Sequence, residues 1–284
     1  MNTQNTNSEI ASKALATLAE ALEAGNSAAL TAYLAVMSRF HKYSWTNSLL
    51  ISMQRPTATR VAGFRAWLGF GRHVRKGEKG IAILAPIISR VKFQSNDQRN
   101  EDESTIQTVG RVVGFRTAYV FDVSQTEGEE LVEFSTVKGD PQHYLELLKI
   151  LVTSEGIALD YDASIAPAKG VSRGGRITLL PNLPAPETFA TLVHELAHEK
   201  LHRSDRRAET TKTIRETEAE AVAFVVSHAI GLDTNTAAVD YIKLYDGDCA
   251  TLSASLEFIQ STAAEILTAL GVNTAPAQEA AISS

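Results

Sequence analysis

Two histidines separated by three residues, in the segment His194-Glu195-Leu196-Ala197-His198, constrain this chain more than any other feature of its sequence. Residues four apart lie one helical turn apart on one face, so both imidazoles can reach one divalent metal while Glu195 points towards the open side of that metal. A helix is predicted from near Glu187, because apolar residues such as Phe189 and Leu192 recur at helical spacing. The sequence therefore predicts the kind of metal site that zinc peptidases use.

Zn²⁺ is the metal that we expect, because it accepts nitrogen and oxygen ligands and, with three protein ligands, keeps a fourth position for water. Another divalent metal such as Mn²⁺ is left open. Glu195 is then the candidate catalytic residue, whose carboxylate would take a proton from that water and later deliver it to the leaving amine. The alternative is a pair of ordinary core or surface histidines without a metal.

A second helix, predicted from Ile214 to Ile230, offers carboxylates for the third ligand position. Glu216 and Glu220 border an apolar seam, and one of them is expected to bind the metal while the other bonds the second nitrogen of a ligating histidine. Spacing leaves the choice open, whereas the resemblance to gluzincins places the ligand at Glu216 and makes Glu220 the alternative. Glu218 is expected to face solvent, and His202, one turn further along the first helix, to have a structural role.

Composition limits the classes of protein to which the chain can belong. Its 284 residues are 44% hydrophobic and 21% charged, which suits a globular protein of two modest domains. No apolar run is long enough to span a membrane, and the polar start lacks the apolar core of a signal peptide, so a cytoplasmic location is expected. The single cysteine, Cys249, excludes an intrachain disulfide and a cysteine-based zinc cluster. Neither the oligomeric state nor a peptide substrate can be identified.

The net charge of −6 hides one strongly basic stretch. Residues 24–77 contain no acidic residue, and their basic residues alternate with aromatic ones that include both tryptophans, Trp45 and Trp67. Cations for phosphates and aromatic faces for unstacked bases are what proteins use to bind single-stranded nucleic acid. The same aromatic residues would equally suit the core of short helices, and composition does not decide between these interpretations.

Both halves of the chain are predicted to mix helices and strands, so the fold class is α+β. In the first half, helices at 8–24, 27–40, 44–54 and around 64–68 precede strands at 81–84, 91–93 and 109–121, with an exposed loop from 94 to 107. In the second half, a helix at 140–151 and a strand at 157–161 precede a hairpin with strands at 170–172 and 176–180. This hairpin directly precedes the metal helix, as the substrate-facing edge strand does in zincins. The charged segment 203–213 is expected to be a solvated loop, with a mobile flap as the alternative.

Four segments of the first half occur in the order of a known family: YSWTNSLL at 43–50, QRPTATRVAGF at 54–64, GRHVRKGEKG at 71–80 and VFDVSQT at 120–126. They resemble ArdC-type antirestriction proteins, which are associated with the protection of incoming plasmid DNA. The resemblance implies a small helical-plus-sheet single-stranded-DNA-binding domain at 1–135 and a zincin-like, gluzincin-type metallopeptidase domain at 136–271. Residues 272–284 are expected to be a disordered tail.

The same resemblance implies which residues meet DNA. The candidates are Asn47, Gln54, Arg60, Trp67, Arg72, Lys76 and Lys79, although Asn47 and Trp67 could hold the fold instead. Single-stranded DNA is the implied partner, and an unidentified protein is the implied substrate of a zinc-dependent peptidase. One alternative is a non-catalytic protein that binds and shields single-stranded DNA and whose metal site is structural. Another is a zinc peptidase whose basic half binds an acidic protein.

Overall fold

Helices and small sheets alternate along the chain, and the predicted α+β class is confirmed. The computed structural model describes residues 3–94, 106–129, 141–232 and 248–272. Within them the helices are α1 (Thr3–Glu23), α2 (Ser27–Arg39), α3 (Trp45–Gln54), α4 (Phe64–Gly69), α5 (Pro141–Ser154), α6 (Ala185–Leu201), α7 (Ser204–Glu209), α8 (Lys212–Ala229) and α9 (Cys249–Ala269). The strands are β1 (Val61–Gly63), β2 (Arg72–Val74), β3 (Ile81–Gln94), β4 (Ile106–Asp122), β5 (Thr126–Gly128), β6 (Ala158–Tyr161), β7 (Gly170–Ser172) and β8 (Arg176–Leu179). Apart from Val272, the predicted tail lies outside the described residues.

The first half contains an antiparallel sheet in the order β1-β4-β3, with the pair β2 and β5 beside it. Alternation along β3 and β4 gives this sheet one buried and one open face, since side chains on a strand point to opposite faces in turn. Ile81, Ile83 and Val120 lie on the buried face, packed in a cluster with Phe40 and Tyr43. The strand β3 has β4 on one side, and helix α3 lies along its other edge.

The second half places a three-stranded sheet beside the predicted metal helix. Its order is β6-β8-β7, with β6 parallel and β7 antiparallel to the central strand. Helix α6 buries the predicted apolar stripe completely, including Phe189, Leu192 and Leu196. Helix α8 begins after Thr211, whose side chain accepts a hydrogen bond from the backbone N–H of Ile214 and so caps the first turn.

One large hydrophobic cluster joins the first helices to those of the second half. Leu30 and Leu34 of α2 pack in the same cluster as Val222 of α8 and Leu256 of α9, and all four side chains are fully buried. The predicted domain boundary at residue 135 stays a prediction, but the main core extends across it. Among the described helices, none has both the length and the apolar character needed to cross a membrane.

The segment 203–213 is not the loop that the sequence predicts, because α7 occupies Ser204–Glu209. Six residues are too few to show a helical pattern of apolar positions, and contacts with other parts of the chain hold this helix. The guanidinium of Arg206 stacks on the ring of Phe258, 3.8 Å from its centroid, and also donates to the carbonyl of Leu201. Contacts of this kind depend on the folded structure and leave no local signal.

Candidate metal centre

Helices α6 and α8 bring His194, His198 and Glu216 together. The two Nε2 atoms lie 3.1 Å apart, and Oε2 of Glu216 lies 3.6 Å from His194 Nε2 and 3.4 Å from His198 Nε2. Ligand atoms held about 2.1 Å from one metal at tetrahedral angles would be separated by about 3.4 Å. One ligand atom from each residue also lies within 4.8 Å of the others. The three side chains therefore fit a shared divalent metal.

The second nitrogen of each histidine is also bonded. Nδ1 of His194 lies 3.2 Å from Oε2 of Glu220, and Nδ1 of His198 lies 2.9 Å from Nδ1 of His202. Such partners fix the orientation and tautomer of an imidazole that binds a metal. The geometry thus brings Glu216 to the ligand side of the histidines and Glu220 to the rear of His194, which is the division that the gluzincin resemblance implies.

Glu218 does not face solvent as predicted, because its side chain is completely buried. Its carboxylate accepts hydrogen bonds from His202 Nε2 at 2.9 Å, from Arg206 at 2.7 Å and from Ser255 Oγ at 2.7 Å. Burial alone would raise the pKa of Glu218, but these three donors outweigh it and lower that pKa. The expectation was wrong because α9, which supplies Ser255, covers a face of α8 that the sequence pattern marks as polar.

The carboxylates of Glu216 and Glu220, next to the imidazoles of His194 and His198, make the site attractive to positive charge. Burial lowers the pKa of His194, but hydrogen bonds with Glu216 and Glu220 outweigh it and raise that pKa to about 9. Hydrogen bonds from His194 and His198 to Glu216 lower the pKa of its carboxyl group well below its ordinary value. A divalent cation would benefit from the same carboxylates that here favour a proton on His194.

Glu195 lies between the histidines and the edge strand β7. Glu195 is 7% exposed, and burial raises the pKa of its carboxyl group, although the charges of His194 and His198 and a hydrogen bond with the backbone of Ser172 act in the opposite direction. Gly170 makes room for it, since a β-carbon at that position would stand 2.8 Å from Glu195 Cγ. A carboxyl group with a raised pKa is suited to hold a proton during part of a reaction cycle near neutral pH.

The sequence interpretation did not identify Glu199, which fixes the β7–β8 hairpin to the metal helix. The backbone N–H groups of Gly174 and Gly175 donate to its two carboxylate oxygens at 2.8 and 2.7 Å, and Arg203 Nε donates to it at 3.1 Å. Both glycines have positive φ, 66° and 84°, which other residues adopt at a cost. The sequence signal for this contact is limited to the paired glycines of the turn and a further glutamate directly after His198.

The candidates for DNA contact on α3 bond to the edge of β3. Asn47 Nδ2 donates to the carbonyl of Leu84 at 2.9 Å, while the Leu84 N–H donates back to Asn47 Oδ1 at 2.8 Å. Gln54 forms the same two-bond pairing with Ala82, with both bonds 2.9 Å long. Asn47 is also buried. These amides therefore complete an open sheet edge, and Asn47 offers no surface to DNA in this structure.

The remaining candidates divide into bonded and open side chains. Trp67 is buried and donates its indole N–H to the carbonyl of Phe121 at 2.9 Å. The guanidinium of Arg72 donates to Thr126 Oγ1 at 2.8 Å, to the Thr126 carbonyl and to the Glu129 carbonyl, so it joins β2 to β5. Among the described residues, the half-buried Arg60 and the exposed Lys76 and Lys79 have no side-chain hydrogen bond or ion pair.

Aromatic rings lie on the open face of the β3–β4 sheet, and we call Phe115, Tyr119 and the half-buried Phe121 of β4, together with Phe64 of α4, the aromatic sheet face. Tyr119 is 61% exposed, and Phe64, also exposed, meets the ring of Phe121 edge-on at 6.4 Å. Gly80 lies against this face, because a β-carbon there would stand 2.9 Å from Tyr119 Cβ. The alternation of β4 is visible in the sequence, but not which of its two faces is covered.

Fold and site together define an α+β protein with a cluster of two histidines and a glutamate between two core helices, in a geometry that fits a divalent metal. Residues 5–121 match the family described as the N-terminal domain of anti-restriction factor ArdC. The fold is similar to that of the antirestriction ArdC protein from plasmid R388 in its metal-free crystal structure, with a TM-score of 0.55 and 17% identity over 91% of this chain and 97% of that one. Its Mn(II)-bound structure gives a TM-score of 0.54 and 17% identity over 93% and 98% of the two chains. Residues 5–121 thus match an ArdC N-terminal domain, and the fold of the chain is similar to that of the R388 ArdC protein.

An uncharacterized protein of Bacillus anthracis, pXO2-81, is also similar in sequence. It is 26% identical over 241 aligned positions, which cover 72% of this chain and 41% of that protein. This chain therefore spans about two fifths of the length of that curated relative.

Proposed function

We propose that this chain is an antirestriction protein that binds single-stranded DNA through its first half and cleaves a peptide bond at a divalent metal centre in its second half. His194, His198 and Glu216 would hold the metal, with Zn²⁺ as the expected ion and Mn²⁺ as the alternative. The observation that carries the proposal is the set of three ligand atoms separated by 3.1 to 3.6 Å. The Mn(II)-bound structure of the R388 ArdC protein supports metal binding by this fold.

A divalent metal bound there would lower the pKa of a water molecule to about 7 and polarise a peptide carbonyl. Glu195 accepts a proton at its carboxylate and returns it to the leaving nitrogen, a role that its raised pKa supports. The strand β7 lies at the edge of its sheet, where an extended peptide can pair with the backbone. Glu199 holds the hairpin of that strand against α6 and would thereby fix the distance between a bound peptide and Glu195.

Comparison of the wild type with Glu195→Gln tests the catalytic half of this proposal. Both proteins are incubated with Zn²⁺ or Mn²⁺ and with a set of proteins bound to single-stranded DNA, and cleavage is followed by mass spectrometry. We expect Glu195→Gln to bind metal and DNA as the wild type does but to cleave 10² to 10⁴ times more slowly, roughly the contribution of a positioned base. Equal cleavage by both proteins would remove Glu195 as the base.

DNA binding is proposed for the aromatic sheet face together with Lys76 and Lys79. Tyr119 and Phe64 offer exposed rings for unstacked bases, and stacking typically contributes about 1 to 3 kcal/mol per base. We expect Tyr119→Ala to weaken binding of a labelled oligonucleotide at least fivefold. Tyr161→Ala is the control, since Tyr161 is also exposed but lies on β6 in the second half. Equal affinity of Tyr119→Ala and the wild type would place the DNA elsewhere.

The same exposed face supports a second candidate function, a non-catalytic protein that shields single-stranded DNA. Under this function Glu195→Gln would protect incoming DNA from restriction as well as the wild type, whereas Tyr119→Ala with Lys79→Ala would not. Loss of protection in Glu195→Gln would reject it. Titration of a labelled single strand across a salt series separates DNA from an acidic protein partner: phosphate contacts would give binding that falls steeply with salt, whereas no binding even at low salt would favour the protein partner.

A further inference from the structure

A chain of buried hydrogen bonds runs from α9 to the rear of the metal centre. Ser255 and Arg206 donate to one oxygen of Glu218, the other oxygen lies 2.9 Å from His202 Nε2, and His202 Nδ1 lies 2.9 Å from His198 Nδ1. The side chains of His202 and Glu218 are fully inaccessible to solvent. The proposed peptidase mechanism does not use these two residues.

The direction of each proton in this chain follows from the donors and acceptors. An ionised carboxylate only accepts, so Glu218 requires the proton of His202 to be on Nε2. A neutral His202 with that proton has a bare Nδ1, and it can only accept from Nδ1–H of His198. The remaining nitrogen of His198, Nε2, then carries a free electron pair, and it is the atom that faces His194 and Glu216.

We propose that His202 and Glu218 are positioning residues that hold His198 in its metal-binding tautomer and thereby strengthen the affinity of the site for a divalent cation. The inference rests on the proposed metal centre. His194 has a different support, since Glu220 contacts its Nδ1 directly and is partly exposed to solvent. The two histidine ligands therefore differ in the group behind them, a carboxylate for His194 and a neutral imidazole for His198.

Co²⁺ binding to three variants tests this inference. His202→Phe keeps an aromatic ring but removes both hydrogen bonds, whereas His202→Gln retains one acceptor and one donor. His41→Phe is the matched control, because His41 is another buried histidine and its carbonyl bonds to Gln260 of α9. Affinity is measured by titration, the ligand set is followed in the visible spectrum of bound Co²⁺, and the melting temperature of each metal-free protein reports folding.

We expect His202→Phe to bind Co²⁺ about 10 to 100 times more weakly than the wild type, which is the usual effect of losing a partner behind a metal ligand. His202→Gln should recover most of this loss, and His41→Phe should lower only the melting temperature. Co²⁺ affinity of a folded His202→Phe within twofold of wild type overturns the inference. Equal losses of affinity in His202→Phe and His202→Gln, in parallel with equal losses of melting temperature, also overturn it.

If the wild type binds no Co²⁺, the proposed metal centre is wrong, and the positioning role of His202 and Glu218 is wrong with it. This outcome differs from a wild type that binds Co²⁺ and a His202→Phe variant that binds it equally well, so the two failures are distinguishable. A second measurement covers the case in which His202→Phe does not fold. Proton NMR of the wild type should show a strongly downfield Nδ1–H signal of His198, and coupling to its ring nitrogen assigns it. A His198 that carries its proton on Nε2 overturns the proposed tautomer without any substitution.

Discussion

Gly170 and Glu195 touch so closely that the strand would have no room for a side chain at position 170. A β-carbon there would stand 2.9 Å from Oε1 of Glu195 and 2.7 Å from Cγ2 of Thr191. Contacts below 3.0 Å force one of the groups to move. The absence of a side chain at position 170 therefore lets the carboxylate of Glu195 lie directly against β7.

Gly170→Ala should accordingly displace Glu195 from β7. We expect a loss of about 1 to 3 kcal/mol in the free energy of unfolding, since overpacking in a dense region has this cost. Peptidase activity should fall at least tenfold, with metal affinity within twofold of wild type. Gly63→Ala is the control, because Gly63 has an ordinary φ of −65° and nothing within 4 Å of its β-carbon position. Unchanged stability and activity in Gly170→Ala would contradict the close contact.

Glu199→Gln should loosen the hairpin of β7 and β8. The amide keeps one acceptor for the N–H groups of Gly174 and Gly175 but turns a donor towards the other, which costs about 1 to 3 kcal/mol. Urea unfolding measures the change in stability. Glu146→Gln, at an exposed carboxylate that pairs with a lysine on α5, should change stability by less than about 1 kcal/mol. Similar effects of both substitutions would argue against the hairpin contact.

Removal of each candidate carboxylate should identify the third metal ligand. A cation at 100 times its dissociation constant stabilises the folded protein by about 2.7 kcal/mol. We expect Glu216→Ala to abolish this stabilisation at the same cation concentration, because Glu216 faces both histidine Nε2 atoms. Glu220→Ala should retain part of it, since Glu220 contacts only Nδ1 of His194. The reverse ranking in thermal unfolding would assign Glu220 as the ligand.

Asn47→Asp should destabilise the protein without a direct effect on DNA binding. The aspartate cannot donate to the carbonyl of Leu84, and loss of such a bond typically lowers the free energy of unfolding by about 1 to 3 kcal/mol. The buried charge adds to this cost. Gln54→Glu makes the same chemical change at an exposed position, where water can replace the lost bond, and should cost less. Weaker DNA binding by a fully stable Asn47→Asp would instead restore Asn47 as a contact residue.

Asp122 should make stability depend on pH in the acidic range. Burial raises the pKa of its carboxyl group, but hydrogen bonds from Ser124 and from the N–H groups of Thr59 and Arg60 outweigh it and lower that pKa. Since the folded pKa lies below the unfolded value of about 3.9, the contribution to stability is present above that value. It is lost as the pH falls through the folded pKa.

Melting temperatures of the wild type and Asp122→Asn between pH 3 and pH 7 measure this contribution. Asp122→Asn should be less stable near neutral pH, and the difference from the wild type should shrink below about pH 4. Asp160→Asn changes an exposed carboxylate on β6 and should leave the wild-type profile nearly unchanged. Parallel profiles for wild type and Asp122→Asn would rule out the stabilising role of the ionised group.

Helix α6, which carries both histidines, was predictable because its sequence features are local. The spacing of His194 and His198 and the apolar stripe of α6 depend only on helical geometry, and the structure has both. Glu218 was misplaced because its donors Arg206 and Ser255 come from two other helices, and Ser255 lies 37 positions away. No pattern within α8 indicates that a further helix covers it.

The DNA candidates show a different limit of sequence reasoning. The family resemblance marks Asn47 and Trp67 as candidates, but it does not state what their polar atoms bond to, and both bond to distant strands. The exposed Tyr119 was missed for the opposite reason. Alternation along β4 separates two faces, and only tertiary packing decides which of them faces water.

Because α2 and α8 share one hydrophobic cluster, we expect that the two halves of the chain cannot be separated without exposing part of the core. If the chain were divided near residue 135, Leu34 and Val222 would no longer pack in one cluster, and both fragments would expose hydrophobic surface. Helices of the first half, including α2 and α3, thus share one hydrophobic core with the helices α6 and α8 that carry the histidines and Glu216. Under the proposed function, a single strand of DNA bound to the aromatic sheet face would bring only nearby proteins to the metal centre, so the spacing between nucleic acid and attached protein would select which protein is cleaved.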